Sequence, residues 1–99
     1  SGRVMRLEIV TRTGGLYKGE VSELVVPAFN GEMGILPGHA PVMAVIYKGT
    51  VRLVENGEPK SFKVGNGFMT VDQDDITVVV EDYDDAEANA KMFEELGAE

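Results

Sequence analysis

The stretch N-G-E-M-G-I-L-P-G-H-A-P-V-M, residues 30–43, packs three glycines (Gly31, Gly34, Gly38), two prolines (Pro37, Pro41) and the chain's single histidine (His39) into fourteen positions. Glycine takes positive φ without steric cost, and proline fixes φ while removing a backbone donor. Alternating the two predicts a loop that is stiff and specific. Its apolar piece, Met33-Gly34-Ile35-Leu36, can anchor it to a core, which leaves Asn30, Glu32 and His39 to face outward. Carried on a rigid scaffold, such a loop is a surface for a partner to read.

The flanking sequence is strand on both sides. Residues 4–10 alternate, with Met5, Leu7 and Ile9 on one face and Arg6 and Glu8 on the other, the period of a half-buried strand. A turn at 11–15 leads to a short extended piece, 16–18, broken at Gly19, and then to a second long strand, 21–26, ended by Pro27. Past the loop, residues 41–47 return to strand. Residues 50–55 set Val51 and Leu53 against Arg52. Asn56-Gly57 is the strongest hairpin signal, because both central residues of a type I′ turn need positive φ; 60–64 is its partner strand. Gly65-Asn66-Gly67 is a tight reversal, and 68–72 and 76–81 form a further hairpin about 73–75. Eight or nine short strands spaced by turns predict a mainly β fold, an antiparallel β-sandwich or a closed barrel. The absence of crossover helices argues against a parallel sheet.

After Asp82 the period changes. Ala86, Ala90 and Phe93 share one helical face, with Met92 and Leu96 beside it. Asp84 suits the cap, Glu87 completes a capping-box arrangement, and Gly97 suits the stop. The chain therefore divides into a β domain, 1–83, and a short C-terminal helix within 84–99.

Ninety-nine residues make one domain, and without cysteine there are no disulfides and no thiol chemistry. The net charge of −8 is uneven. Residues 1–71 carry six acids against eight bases, and residues 72–99 carry eleven acids against Lys91 alone. A chain this acidic repels phosphate, so nucleic acid is not an expected partner. No apolar run approaches the roughly 18 residues of a membrane span, and the sequence opens without a signal-peptide pattern.

The catalytic inventory is thin. One histidine and no cysteine exclude the usual zinc ligand sets. His39 has no Ser or Thr beside it, only Gly38, Ala40 and Pro41, so it reads as a surface or loop-bracing residue rather than a general base. Gly65-Asn66-Gly67 precedes a strand, not a helix, which removes phosphate cradling. The acidic clusters 72–75 and 82–85 lack the glycine and distal glutamate of a calcium loop and read as a hairpin turn and a helix cap. Of the five methionines, Met33 and Met43 are the two that could sit at a contact surface; the aromatic residues are spread singly. No catalytic, cofactor or metal residue is expected. From the residues alone the chain is a protein-binding module, and a stand-alone β-sandwich module is the alternative to a subunit of a complex.

Several strings in order then carry a resemblance: L-E-I-V-T (7–11), Y-K-G-E-V (17–21), V-V-P (25–27), G-E-M-G-I-L-P-G-H-A-P (31–41), G-T-V-R (49–52) and G-F-M-T-V (67–71). Over about residues 4–82 the chain resembles the N-terminal domain of the epsilon subunit of F-type ATP synthase, called delta in mitochondria. The resemblance implies a flattened sandwich of two five-stranded sheets. It implies a non-catalytic central-stalk (rotor) subunit, bound to the gamma subunit and to the membrane c-ring, on the cytoplasmic face of a bacterial plasma membrane or the equivalent organelle face. Carried over by position, Glu32 and His39 contact the polar loops of the c-ring, with Gly31, Gly34, Pro37, Gly38 and Pro41 shaping the loop. Basic and polar groups on the c-ring would give the Glu32 carboxylate an electrostatic reason to be there. Many members continue into a two-helix hairpin that inhibits ATP hydrolysis and in some binds ATP. The sequence holds one candidate helix there, so neither role is carried over.

Overall fold

The computed structural model describes residues 2–84 and 97. The helix expected over 84–96, and with it the proposed C-terminal unit, lies outside the described residues. The described residues form nine strands: β1 (Met5–Thr11), β2 (Gly14–Val21), β3 (Glu23–Ala28), β4 (Gly31–Ile35), β5 (Val42–Ile46), β6 (Gly49–Glu55), β7 (Glu58–Val64), β8 (Gly67–Asp72) and β9 (Asp75–Val80).

They pair in the order β2-β1-β9-β8-β5-β3-β6-β7, with β4 on β3. The path curls over on itself at β3. Along one edge β3 pairs β6 at Glu23–Val25 and then meets β5 only through Ala28 and Ile46. That single bridge divides the strands into five (β2, β1, β9, β8, β5) and four (β4, β3, β6, β7), the two layers of a β-sandwich. Alternate residues from both layers fill the space between: Leu7 and Ile9 of β1, Leu24 and Val26 of β3, Ile35 of β4, Leu53 of β6, Met69 of β8 and Val78 of β9 are at most 2% exposed. No polar or charged residue among the described residues is wholly buried with them, as burial without a partner would cost; the one buried side-chain polar atom without a partner there is the Tyr17 hydroxyl, on a partly exposed residue.

Asn56-Gly57 forms its turn as read, with φ of 51° and 77° and Glu55 paired to Glu58. Gln73 and Asp74 do the same at 49° and 64° between Asp72 and Asp75.

Four local expectations are corrected. Gly19 does not break a strand: β2 runs through it to Val21, and the break falls at Ser22. A Cβ at Gly19 would lie 2.5 Å from the Tyr17 hydroxyl, so the glycine makes room for the phenol. Tyr17 packs against Phe62 with the rings tilted at 51° and 5.6 Å between centroids, and burial, then Glu55, push its hydroxyl up to about 12. Pro27 does not end a strand either. It lies inside β3, where β6 pairs only as far as Val25 and β5 bridges only Ala28, so its missing donor falls between ladders. The sheet is not wholly antiparallel: β1 and β9 pair in parallel from Arg6↔Asp75 to Val10↔Val79. The seven intervening strands, rather than a crossover helix, provide the connection. Finally, half of the stretch 30–43 is strand rather than loop. Residues 31–35 are strand β4 and residues 42–43 open β5, which leaves Asn30 and residues 36–41 irregular. The alternation of Glu32, Gly34 outward and Met33, Ile35 inward was masked by glycine.

Candidate functional site

Ile35, fully buried, ends β4 and anchors the connection to β5. Leu36 beyond it is 59% exposed, so the apolar piece is held through Ile35 and the half-buried Met33. Residues Leu36, Pro37, Gly38 and His39 form a tight turn: the His39 N–H donates to the Leu36 carbonyl at 3.2 Å, and Gly38 sits at φ 87°. Proline at the second position and a left-handed glycine at the third is the type II pattern. Gly31 is also left-handed, at φ 108°. Gly34 is not, and it lies in the strand rather than in a turn.

The turn is stitched to the β8–β9 hairpin by a residue that sequence reading took only as part of a turn. The Gly38 N–H donates to Asp74 Oδ1 at 2.8 Å, and Arg3 Nη2 donates to Asp74 Oδ2 at 2.6 Å. The Asp74 backbone carbonyl accepts from the Arg6 N–H. The Gly38 N–H first, then the Arg3 guanidinium, hold the Asp74 carboxyl below the usual carboxylate range, against the opposing push of desolvation. A group depressed in this way stabilises the fold above the ordinary carboxylate range and loses that contribution as pH falls through its folded value. Asp74→Ala is therefore expected to speed exchange of the Gly38 amide about tenfold, the loss of one well-made hydrogen bond. Acidifying the wild-type chain should raise the same rate, corrected for intrinsic chemistry, and leave the variant flat. Hydrogen exchange followed by NMR reads both.

His39 is half-buried, and its Nδ1 lies 2.7 Å from the Ala40 carbonyl oxygen. A carbonyl only accepts, so Nδ1 carries the proton and the Nε2 of the neutral ring is left as an acceptor. Glu32 stands elsewhere, three residues before the end of β4, and makes a bidentate pair with Arg52 of β6 at 2.6 and 2.8 Å. The Arg52 fork lowers the Glu32 carboxyl, and desolvation opposes it. No hydrogen bond or ion pair joins Glu32 to His39 among the described residues; the fold brings each to different elements. Sequence reading missed Arg52, which is twenty positions away and carries no local signal. No group of three His, Asp or Glu side chains among the described residues could hold a metal ion.

A second surface was also missed. Cross-strand register lines up Val10, Val79, Phe68 and Val45 across β1, β9, β8 and β5 on the outward face of the five-stranded layer. Phe68 is 42%, Val45 55% and Met43 71% exposed. At the end of β5, Tyr47 packs on Phe29 with ring centroids 6.1 Å apart, so these aromatic residues are not singly dispersed. A groove of about 460 Å³ between β4 and β5 runs beside them, lined by Phe29, Glu32, Met33, Val42, Ala44 and Tyr47. The signal was present as V-M-A-V-I-Y (42–47) and V-V-V (78–80), apolar on both faces where a half-solvated strand alternates.

Comparison with known proteins supplies the rest. Residues 4–86 match the family described as ATP synthase, Delta/Epsilon chain, beta-sandwich domain. The chain is 38% identical over 80 residues to an ATP synthase epsilon chain of Neisseria meningitidis serogroup C, covering 79% of this chain and 57% of that one. It is 34% identical over 85 residues to the ATP synthase epsilon chain of Bacillus subtilis, covering 86% and 64%. The chain thus spans less than two thirds of the length of these relatives. In fold it is similar to a chain in a structure of the Euglena gracilis mitochondrial ATP synthase OSCP/F1/c-ring, with a TM-score of 0.74 and 21% identity over 98% of this chain and 66% of that one. A chain in the central stalk/c-ring structure of the Tetrahymena thermophila mitochondrial ATP synthase gives 0.72 and 17%, covering 100% and 80%. With a match along 4–86 and relatives above 30% identity over most of its length, the chain belongs to the ATP synthase delta/epsilon chain family, through its beta-sandwich domain.

Proposed function

We propose that the chain is a non-catalytic rotor component of the ATP synthase central stalk, linking the gamma subunit to the c-ring on the cytoplasmic face of a bacterial plasma membrane or the equivalent organelle face. The observation that carries this reading is that one small body exposes two unlike surfaces. The row Val10–Val79–Phe68–Val45, extended by Met43, is apolar and lies on the outward face of the five-stranded layer; it suits a permanent protein partner, which is gamma. Apolar area of this kind on one face is a protein-binding signal. Glu32 and His39 are polar, lie on other elements, and are each held by a hydrogen bond before any partner arrives; they suit the polar loops of the c-ring. Holding the turn through Pro37, Gly38 and Asp74 lowers the ordering cost of a contact that must transmit torque.

The test is binding of the chain to purified gamma and to detergent-solubilised c-ring in parallel. Replacing Glu32 and His39 together by Ala is expected to weaken c-ring binding at least tenfold, about the size of two lost polar contacts, and to leave gamma binding within twofold. Unchanged c-ring binding would remove the assignment of these two residues.

A further inference from the structure

On the outward face of the four-stranded layer, β4, β3 and β6 set Glu32, Gly34, Val25 and Arg52 side by side. Glu32 stands opposite Pro27, while Gly34 and Arg52 flank Val25 from either side, so the Glu32–Arg52 pair crosses β3 diagonally. Arg52 Nη1 donates to Oε2 and Nη2 to Oε1, at 2.6 and 2.8 Å. Two parallel N–H···O bonds fix the plane of the carboxylate. Each oxygen keeps a second lone pair, and the Glu32 side chain remains 53% exposed. The pair as a whole is neutral, so a cationic partner gains little from long-range attraction to it.

Gly34, two positions along the same face, has no structural reason to be glycine. Its backbone is not left-handed, and a Cβ there would meet no atom within 4 Å. A glycine inside a strand weakens it and often marks a close approach of another backbone. Among the described residues β4 pairs only with β3, so within them this glycine lies on an edge strand.

We propose that Arg52 and Gly34 complete, with Glu32, a docking surface for a hydrogen-bond donor on a polar loop of the c-ring. Arg52 is a positioning residue: it aims the carboxylate and occupies its inner lone pairs, which leaves the outer ones for the partner's N–H. Gly34 keeps the neighbouring backbone bare, so that the partner loop lies against it. The contact is read by hydrogen-bond geometry, and its affinity depends weakly on salt. The inference rests on the assignment of Glu32 to the c-ring contact.

The experiment measures affinity for detergent-solubilised c-ring across a salt series, with gamma binding and thermal stability alongside, for the wild type, E32A, R52M, R52K and G34V. R52M and G34V are each expected to weaken c-ring binding fivefold or more, with R52K between, with gamma binding unchanged and the melting temperature not lowered. R52M, which leaves Glu32 a free anion, is also expected to steepen the salt dependence. A merely structural Arg52 would lower the melting temperature in R52M and leave c-ring affinity and its salt dependence unchanged. If E32A weakens binding and R52M does not, or R52M binds more tightly, Arg52 has no positioning role, although Glu32 still meets the c-ring; wild-type affinity in G34V removes Gly34 in the same way. If E32A itself binds as well as the wild type, the assignment of Glu32 fails, and this surface with it.

Discussion

Gly67→Ala is expected to destabilise the domain by about 3 kcal/mol or more, the upper end of what overpacking costs. Gly67 opens β8 and pairs with Val80 of β9. A Cβ at this position would fall on the Val79 carbonyl oxygen and lie 2.7 Å from Val80 Cα. Those are backbone atoms in a paired strand, not the ends of side chains that can swing away. The strand cannot retreat cheaply, because the same reversal is tied on its other side: the Gly65 N–H donates to the Glu81 carbonyl and the Glu81 N–H to the Asn66 carbonyl. For a domain of this size, each kcal/mol moves the melting temperature by about 4–8 °C, so a loss of more than 10 °C should be seen. Gly15→Ala is the control, since a Cβ there meets nothing within 4 Å; it should stay within about 0.5 kcal/mol of the wild type. Urea titration reads both, as a lower midpoint with an unchanged slope for Gly67→Ala. A loss below about 1 kcal/mol would mean that the β8–β9 approach is not as tight as the geometry requires.

Ile35→Ala is the second large effect, expected to cost about 3 kcal/mol, within the 2–5 kcal/mol seen when a buried Ile or Leu is cut to Ala. Ile35 is fully buried, pairs with Leu24 across β3–β4, and is the last fixed residue before the turn that carries His39. Its loss therefore has two consequences. The core between the layers acquires a cavity, and the turn loses its anchor on the β4 side while keeping Asp74 on the other. Gly38 amide exchange should accelerate by more than global unfolding accounts for. Leu36→Ala, one position on and 59% exposed, should change stability by no more than about 0.5 kcal/mol. Equal effects at the two positions would place the anchor elsewhere.

Glu32 and Arg52 show why the site was harder to read than the fold. Strand positions follow from local alternation: Met5, Leu7 and Ile9 had to share a face whatever they packed against, and all three are buried. The turn at Asn56-Gly57 follows from the backbone needs of two adjacent residues. The pairing of Glu32 with Arg52 depends instead on β3 lying between their strands. Asp74 is a comparable case. As a turn residue it was legible, but its bond to the Gly38 N–H joins positions 36 apart. The apolar row is a third: Val10, Val45, Phe68 and Val79 are far apart from one another in the sequence and adjacent only through the register of three strand pairs.

Short-range chemistry in the residues themselves determined most of the strands, the two left-handed hairpin turns and the stiffness of the Pro37-Gly38 turn, because each depends on φ preferences and on period two over a few positions. The order of characteristic strings carried the family as well. Tertiary structure alone decided that β4 begins inside the glycine-rich stretch, that β1 and β9 run parallel, and that Glu32 is held by Arg52 while His39 is held by its own turn. Those outcomes depend on which strands become neighbours, and that is set by burying the inner faces of both layers together, a constraint no single segment contains.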